Sequence, residues 1–524
     1  LLVVLAMVIY FVVVLAVGFS YAKRSNSSTD EYFIGGRKVG PWFTALSAEA
    51  SDMSGYLLMG IPGLAYFFGA SEAMWTCIGL AIGTYLNWLF VAKRLRQYSE
   101  RVHAITIPAF FSNRFHDKKN ILSTVAAVII LLFFCVYTGS CFVTCGKLFH
   151  TLFGIDYAVM MIFGAVVVFA YTLVGGYLSV VATDFIQGCL MFFALAVVLI
   201  GSIASVGGVD TTVAFLQSIP GFLNGGQLTT PIIDANTGLQ AVEGDQPLFG
   251  EATDFGILTI ISTLAWGLGY FGMPQVLVRF LGIRSAEEVR QSRIIAVVWV
   301  VISMVCALCI GFIGRAMLPT YFGTNAAAEN IFIVIAQMIL PAFMCGVVVS
   351  GILAASMSSA SSYLLITGSS VAENIFRGII KRDATDRQVM IVSRITLAVV
   401  MIIGIIIALD ENSVIFRVVS YAWAGLGASF GPLVLCSLYW RRTNLPGALA
   451  GMLGGAITVV VWHNFIKPLG GVFGIYELLP AFIISLVCIF VVSKLTAEPS
   501  QEIYDEFDHY TEARMDEDVN PAAA

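Results

Sequence analysis

Apolar residues run through the chain in thirteen stretches, each long enough for a helix to cross a bilayer, for which roughly 20 residues suffice. The stretches cover 1–21, 42–69, 72–98, 120–150, 157–176, 184–207, 255–281, 292–318, 328–376, 388–409, 413–440, 445–466 and 474–495. This pattern predicts an all-α polytopic membrane protein. The ninth stretch exceeds one crossing and reads either as a spanning helix followed by a shorter cytoplasmic one or as a helix with an extended end. No cleavable signal precedes the first stretch, so the chain is expected to begin inside its first spanning helix.

Polar positions inside the stretches are clustered. Residues 45–63, ALSAEASDMSGYLLMGIPG, place Glu49, Asp52, three serines, three glycines and a proline within one spanning length. A carboxylate at bilayer depth costs roughly 2.5–3.5 kcal/mol on insertion scales and normally faces another polar group, a cavity or an ion. Ser54 and Gly55, with Gly60, Pro62 and Gly63 beyond, are poor helix formers, so the helix is expected to open there and release backbone carbonyls. Those carbonyls, the Asp52 carboxylate and the hydroxyls are hard oxygen ligands for a small cation. The competing reading is a Gly/Ser face for close helix packing, with Asp52 in a buried hydrogen bond.

A second cluster lies in the ninth stretch, GILAASMSSASSY, where helical spacing sets Ala355, Ser358, Ser359 and Ser362 on one face. Such small hydroxyl residues either permit close helix approach or complete a cation shell begun at Asp52. The seventh stretch, AWGLGYFGMPQ, is broken by glycines, with Trp266 and Tyr270 one turn apart and Pro274 a turn further. Two interrupted helices in one polytopic chain point to an alternating-access transporter, whose site forms near the midplane where the breaks meet.

Composition sharpens this picture. The 524 residues are 58% hydrophobic and 12% charged, against about a quarter charged in globular proteins. With the N-terminus outside, 24 of the 28 Lys and Arg residues, Arg279 among them, fall in cytoplasmic loops or the tail. Only Lys147, Arg315, Arg417 and Lys467 remain on the outer side, and residues 208–250, with no Lys or Arg, suit an extracytoplasmic loop. This places a multi-pass protein in the cell membrane with a cytoplasmic C-terminus, whose acidic tail from Ala497 reads as a solvated or disordered end. No basic stripe supports nucleic-acid binding. The ten cysteines suggest no disulfide framework, and Cys306 and Cys309 spell CxxC inside a hydrophobic helix, where packing is the reading. The five histidines lie near expected loops or in the tail without metal spacing, which argues against an enzyme. A channel would show a repeated filter loop or charged ring.

Several motifs together are similar to the sodium/solute symporter family, in its bacterial proline-transporting branch. They are SAEASDMSGYLLMGIPG, LLFFCVYTGS at 131–140, WGLGYFGMPQ at 266–275, AASMSS at 354–359 and SYAWAGLGASFGP at 420–432. The resemblance implies thirteen helices around a LeuT-type core of two inverted five-helix repeats, helices 2–6 over 42–207 and 7–11 over 251–440, with helices 2 and 7 broken. Residues 1–41 would hold an extra helix and a cytoplasmic loop, 441–496 two further helices and 497–524 the acidic tail. It implies one sodium ion carried with each substrate, L-proline or a similar small amino acid, and no obligate protein partner is predicted.

Carried over by motif, the sodium site would use the backbone carbonyls of Ala50, Met53 and Ala355 and the hydroxyls of Ser358 and Ser359, with Asp52 beside it. Tyr137, Trp266 and Tyr270 would line the substrate pocket, Pro274 would shape the broken helix, and Asp184, at the cytoplasmic start of helix 6, would attend sodium passage. A plain charge at a helix N-terminus is the alternative for Asp184. Three positions depart from the family pattern. Ser359 replaces the usual threonine, which keeps the oxygen and loses a methyl. Tyr56 replaces the usual tryptophan beside the pocket. Glu49 replaces a small residue and is expected to be protonated, to pair with a cytoplasmic arginine, or to bring proton dependence. Other small solutes, proton coupling, and a transporter-like nutrient sensor remain alternatives; a sensor would carry a long signalling domain.

Overall fold

The structure, a computed structural model, describes residues 1–25 and 28–509. Among them, ten helices are long and apolar enough to cross a membrane, or eleven when Ile257–Gly272 and Pro274–Gly282, bent by 42°, count as one span. The other two expected stretches are helical as well. One is interrupted, Pro41–Asp52 followed by Tyr56–Phe68, and the other is the short helix Tyr157–Ala170. Numbered in chain order, span 1 is Leu2–Tyr21, span 2 the interrupted pair, span 3 Ala70–Arg101, span 4 Ile121–Phe153, span 5 Tyr157–Ala170 and span 6 Gly176–Ser205. Span 7 is the bent pair, span 8 Val289–Met317, span 9 Ala342–Ile380, span 10 Asp386–Ile407, span 11 Ile415–Tyr439, span 12 Leu445–Leu469 and span 13 Leu478–Leu495.

Spans 5 and 6 run on from one another with a kink at Gly176, whose φ of 62° is left-handed and costs glycine little. The ninth stretch holds a helix with an extended end, one of its two expected readings, and before it a separate helix that was not expected. Leu340-Pro341 ends a separate short helix, Ile331–Ile339, and the span itself starts at Ala342 and runs on to Ile380 through a π-helical last segment. Proline accounts for the division: its ring disfavours helical geometry at the preceding residue, and Leu340 is extended (φ −108°, ψ 145°). The long loop folds into the helix Val209–Ser218 and two small antiparallel ribbons, Gln227–Leu228 with Thr253–Asp254 and Val242–Glu243 with Gln246–Pro247.

Span 9 is the packing centre of the bundle, buried along nearly its whole apolar length and set against spans 1, 4 and 6. Spans 3 and 11 enclose the bent span 7. Glycines permit that enclosure: a Cβ on Gly83 would lie 2.3 Å from the Gly267 carbonyl oxygen, and one on Gly269 would lie 1.9 Å from the Trp423 indole nitrogen. The tail departs from the expected solvated end, since residues 501–509 form a helix against the body. Its Phe507 is 7% exposed beside Tyr98 and Arg114, while Glu506 meets His116 at 3.0 Å and Asp508 meets Arg441 at 2.9 Å.

Candidate functional site

Span 2 breaks at Met53 and Ser54. Met53 leaves helical geometry (φ −79°, ψ 78°), and the Ser54 N–H turns back to the Asp52 carbonyl instead of continuing the ladder. Gly55 lets this break lie against span 4, since a Cβ there would sit 2.1 Å from the Thr144 hydroxyl. Span 7 winds tightly through Ala265–Gly272, breaks at Met273 (φ −75°, ψ 108°) and restarts with Pro274, which suits a first helical position because it lacks an N–H.

The two breaks meet. Gln275, one residue past Pro274, donates from Nε2 to Asp52 Oδ1 at 3.1 Å, and both side chains are fully buried. Asp52 Oδ2 and the Ser54 hydroxyl are buried without a hydrogen-bond partner among the described residues. Span 9 reaches the same place: Ser358 Oγ donates to the Ala50 carbonyl at 2.7 Å and lies 3.2 Å from the Ala355 carbonyl, and Ser359 Oγ lies 3.5 Å from Ala50. Carbonyl, hydroxyl and carboxylate oxygens are the donor set of a hard monovalent or divalent cation. The serine cluster of span 9 therefore meets a backbone carbonyl of the span 2 half-helix that ends at Asp52.

The aromatic residues form a wall next to it. Tyr56, Tyr137 and Tyr270 are at most 1% exposed and Trp266 is 2% exposed. Tyr56 faces Trp266 with ring centroids 6.4 Å apart, and its hydroxyl approaches the Met53 sulfur at 2.9 Å. Trp266 is stacked on Tyr476 at 5.2 Å and flanked by Phe416 at 5.1 Å and Trp423 at 6.0 Å, and the Trp423 indole N–H donates to its carbonyl at 2.8 Å. Tyr270 meets the edge of Trp423 at 5.0 Å. Tyr137 packs on Tyr363 of span 9, with ring centroids 4.4 Å apart. Phe416 is set by Glu329, whose carboxylate accepts from the Ile415 and Phe416 N–H groups and from Lys147 Nζ at 2.7 Å. A cavity of about 310 Å³ is bordered by Trp266, Tyr476, Phe416 and the bidentate Arg417 and Glu72 pair.

Two placements correct the sequence reading. Asp184 stands two turns inside span 6 and not at its start, because the helix begins at Gly176; it is fully buried. Arg279, counted there as a loop cation, is fully buried in span 7 and is the counter-charge of Asp184: Nη2 to Oδ2 is 3.0 Å. Arg279 also donates to Ser47 at 3.0 Å, to Ser362 at 2.6 Å and to the Gln275 carbonyl at 3.3 Å, and Ser47 donates to Asp184 at 2.7 Å. Spans 2, 6, 7 and 9 are thereby tied together below the break. Glu49 meets no arginine. One of its oxygens accepts from the Trp88 indole N–H at 3.2 Å and the other is buried without a partner, so of the three alternatives the arginine pair is the one absent among the described residues.

The model of the Sodium:solute symporter family matches residues 32–455. The chain belongs to this family. It is a multi-pass membrane transporter, not an enzyme. Among similar proteins are those named Sodium/proline symporter from Staphylococcus aureus strains JH9 and NCTC 8325 / PS 47, each 40% identical over 498 residues that cover 94% of this chain and 92% of theirs. Among solved structures, a Na+-coupled sialic acid symporter in a substrate-bound outward-open state aligns with a TM-score of 0.75 at 20% identity, covering 96% of this chain and 99% of that one. Mhp1, a nucleobase-cation-symport-1 family transporter in a closed conformation, aligns at 0.52 and 13% identity, covering 91% and 98%. These likenesses establish the LeuT-like fold for this family member.

Sequence reasoning missed Arg279, Gln275, Tyr363, Trp423 and Tyr476. Gln275, Tyr363 and Trp423 stood inside quoted motifs, whereas Arg279 and Tyr476 stood outside them.

Proposed function

We propose that the chain is a sodium-coupled symporter that imports L-proline by alternating access. The similarity at 40% identity to proteins named for sodium and proline supports the cargo, since it runs through both broken spans and the serine cluster. The observation that carries the coupling is the approach of Ser358 to Ala50 beside the half-satisfied Asp52. Sodium is then a co-transported ion and not a resident cofactor. Its ligands would be the carbonyls of Ala50, Met53 and Ala355 and the hydroxyls of Ser358 and Ser359, with Asp52 supplying attraction.

An amino acid is a zwitterion, and a site closed to water has to satisfy both charges. Half-helix N-termini offer free N–H groups and a positive dipole end to a carboxylate, while unwound carbonyls accept from an amine. Tyr56, Trp266 and Tyr270 supply apolar faces for a ring, and the buried Tyr137 and Tyr270 hydroxyls supply polar tips. A sodium ion held between spans 2 and 9 would fix the break that also shapes the substrate site, so each ligand raises affinity for the other by linkage. The membrane potential adds about 2.3 kcal/mol per charge per 100 mV, enough to concentrate a neutral zwitterion on one ion. In this reading the inverted repeats span 42–207 and 251–440, the N-terminus lies outside, and Asp184 and Arg279 guard the path on the cytoplasmic side. Glu49, buried with one free oxygen, favours a second reading in which a proton takes part.

The deciding experiment is radiolabelled L-proline uptake into proteoliposomes, with and without an imposed sodium gradient, and with other amino acids as competitors. Uptake that follows the sodium gradient and is competed by proline alone supports the assignment. Uptake indifferent to choline replacing sodium, or carrying another amino acid in preference, overturns it.

A further inference from the structure

The membrane-facing surface between spans 2, 6 and 8 carries a groove of about 600 Å³, within the roughly 300–1,000 Å³ typical of small-molecule sites. Leu46 and Trp299 form its floor, with Trp42, Phe192, Ile294 and Val298 around it. The outer members stay uncovered by protein: Trp42 is 54% exposed, Ile294 56% and Val298 53%. The floor is fixed in place, because the Trp299 indole N–H donates to the Gly188 carbonyl at 3.1 Å.

The groove is apolar along its length and polar at one end. Gln291, in the first turn of span 8, lines that end. Arg290 lies beside it and one turn from Ile294, so it continues the row of side chains that forms the groove wall. Arg290, in the first turn of span 8, is exposed and makes no ion pair among the described residues. The nearby acids are otherwise engaged, Glu288 by Arg284 and Glu287 by Ser285. Arg293, on the neighbouring helix face, lies over the Tyr85 ring at 5.6 Å. Trp42 sits at the start of its half-helix, near the same end, since Ser292 donates to the Pro41 carbonyl at 3.2 Å, and an indole favours the interface. An apolar cleft ending in an unpaired arginine and an amide at headgroup depth matches one class of ligand, an acyl chain carrying an anionic head.

We propose that this groove is a seat for a single anionic glycerophospholipid, with an acyl chain along Leu46, Phe192, Val298 and Trp299 and the phosphate at Arg290 and Gln291. The seat shares a wall with the half-helix that carries Ala50 and Asp52. Span 6 packs close there: a Cβ on Gly188 would lie 3.4 Å from both the Ala50 Cβ and the Leu46 carbonyl. Lipid in the groove therefore bears, through Leu46, on the half-helix whose Ala50 carbonyl meets Ser358, whichever solute the protein carries.

The test is native mass spectrometry of the purified full chain after exchange into mixed phosphatidylglycerol and phosphatidylcholine, followed by stepwise delipidation. The wild type is expected to keep one phosphatidylglycerol after phosphatidylcholine is gone. R290Q should lower that preference about fivefold, the factor one arginine contributes at an anionic surface, and R290K should preserve it. V298W, which fills the groove from its exposed membrane side, should lose the retained lipid of either kind. Equal retention of both lipids by the wild type, or retention unchanged in both R290Q and V298W, overturns the proposal.

Discussion

The Ser358 hydroxyl donates to the Ala50 carbonyl across 2.7 Å, although 308 positions separate the two residues in the chain. Ser359, its neighbour, reaches the same oxygen only at 3.5 Å. The two serines are therefore unequal. Ser358 lies between two carbonyls, those of Ala50 and Ala355, and can turn its oxygen toward a cation that displaces its proton contact, while Ser359 stands at the margin.

Ser358→Ala should raise the sodium concentration for half-maximal uptake about 2- to 10-fold, the worth of one neutral polar contact. Ser359→Ala should raise it less, and Ser359→Thr should leave it close to wild type. Sodium titrations of uptake in proteoliposomes measure this order. Equal, wild-type sodium dependence in both alanine variants would leave the serines as packing residues only.

Asp52→Asn keeps an oxygen for Gln275 and removes the charge. Attraction between neighbouring charges amounts to about 1–4 kcal/mol across the range from water-like to protein-like dielectric, so half-saturating sodium should rise at least about fivefold. Protein yield should change little, because the shape and the Gln275 contact persist. Substrate binding measured in saturating sodium should recover toward wild type; a loss there that sodium does not restore would point to a structural role for Asp52.

The broken helices could be read in the sequence because Ser54, Gly55 and the glycines around Tyr270 conflict locally with a continuous apolar helix, and the physics of that conflict is local. The aromatic wall was partly readable, since Trp266 and Tyr270 fall on one helical face. Arg279 was not. A single charge six residues past a helix break looks like the start of a loop, and only folding brings it to Asp184, 95 positions away. The division at Pro341 was readable in principle, but the apolar residues on either side of it hid the boundary in one long stretch. Gly79 and Gly83 form a GxxxG pair of the type that brings helix backbones together, and its target, the winding segment at Leu264 and Gly267, is set by topology alone.

The Asp184 and Arg279 pair is buried on both sides, at 0% side-chain exposure. Removing one member of such a pair leaves an uncompensated charge and typically costs about 3–5 kcal/mol. Arg279→Met should therefore reduce folded yield and thermal stability more than Asp184→Asn, because it also strands Ser47 and Ser362. The double variant should be more stable than Arg279→Met alone, by thermal unfolding in detergent. Simple addition of the two losses would mean that the charges do not act as a unit.

Gly83 tests whether the bent span 7 depends on contact with span 3. A methyl at this position would meet the Gly267 carbonyl oxygen at 2.3 Å and its Cα at 2.4 Å, and backbone cannot swing aside as a side chain can. Overpacking of a close interface costs about 1–3 kcal/mol, and here the displaced segment carries Trp266. Gly83→Ala should lower thermal stability and depress substrate affinity together, with Gly40→Ala as the control, since nothing lies within 4 Å of a Cβ at Gly40. If Gly83→Ala lowered stability while leaving substrate affinity at the wild-type value, the position of Trp266 would not be set by span 3, and the aromatic wall would have to be held by span 11 and Tyr476 alone.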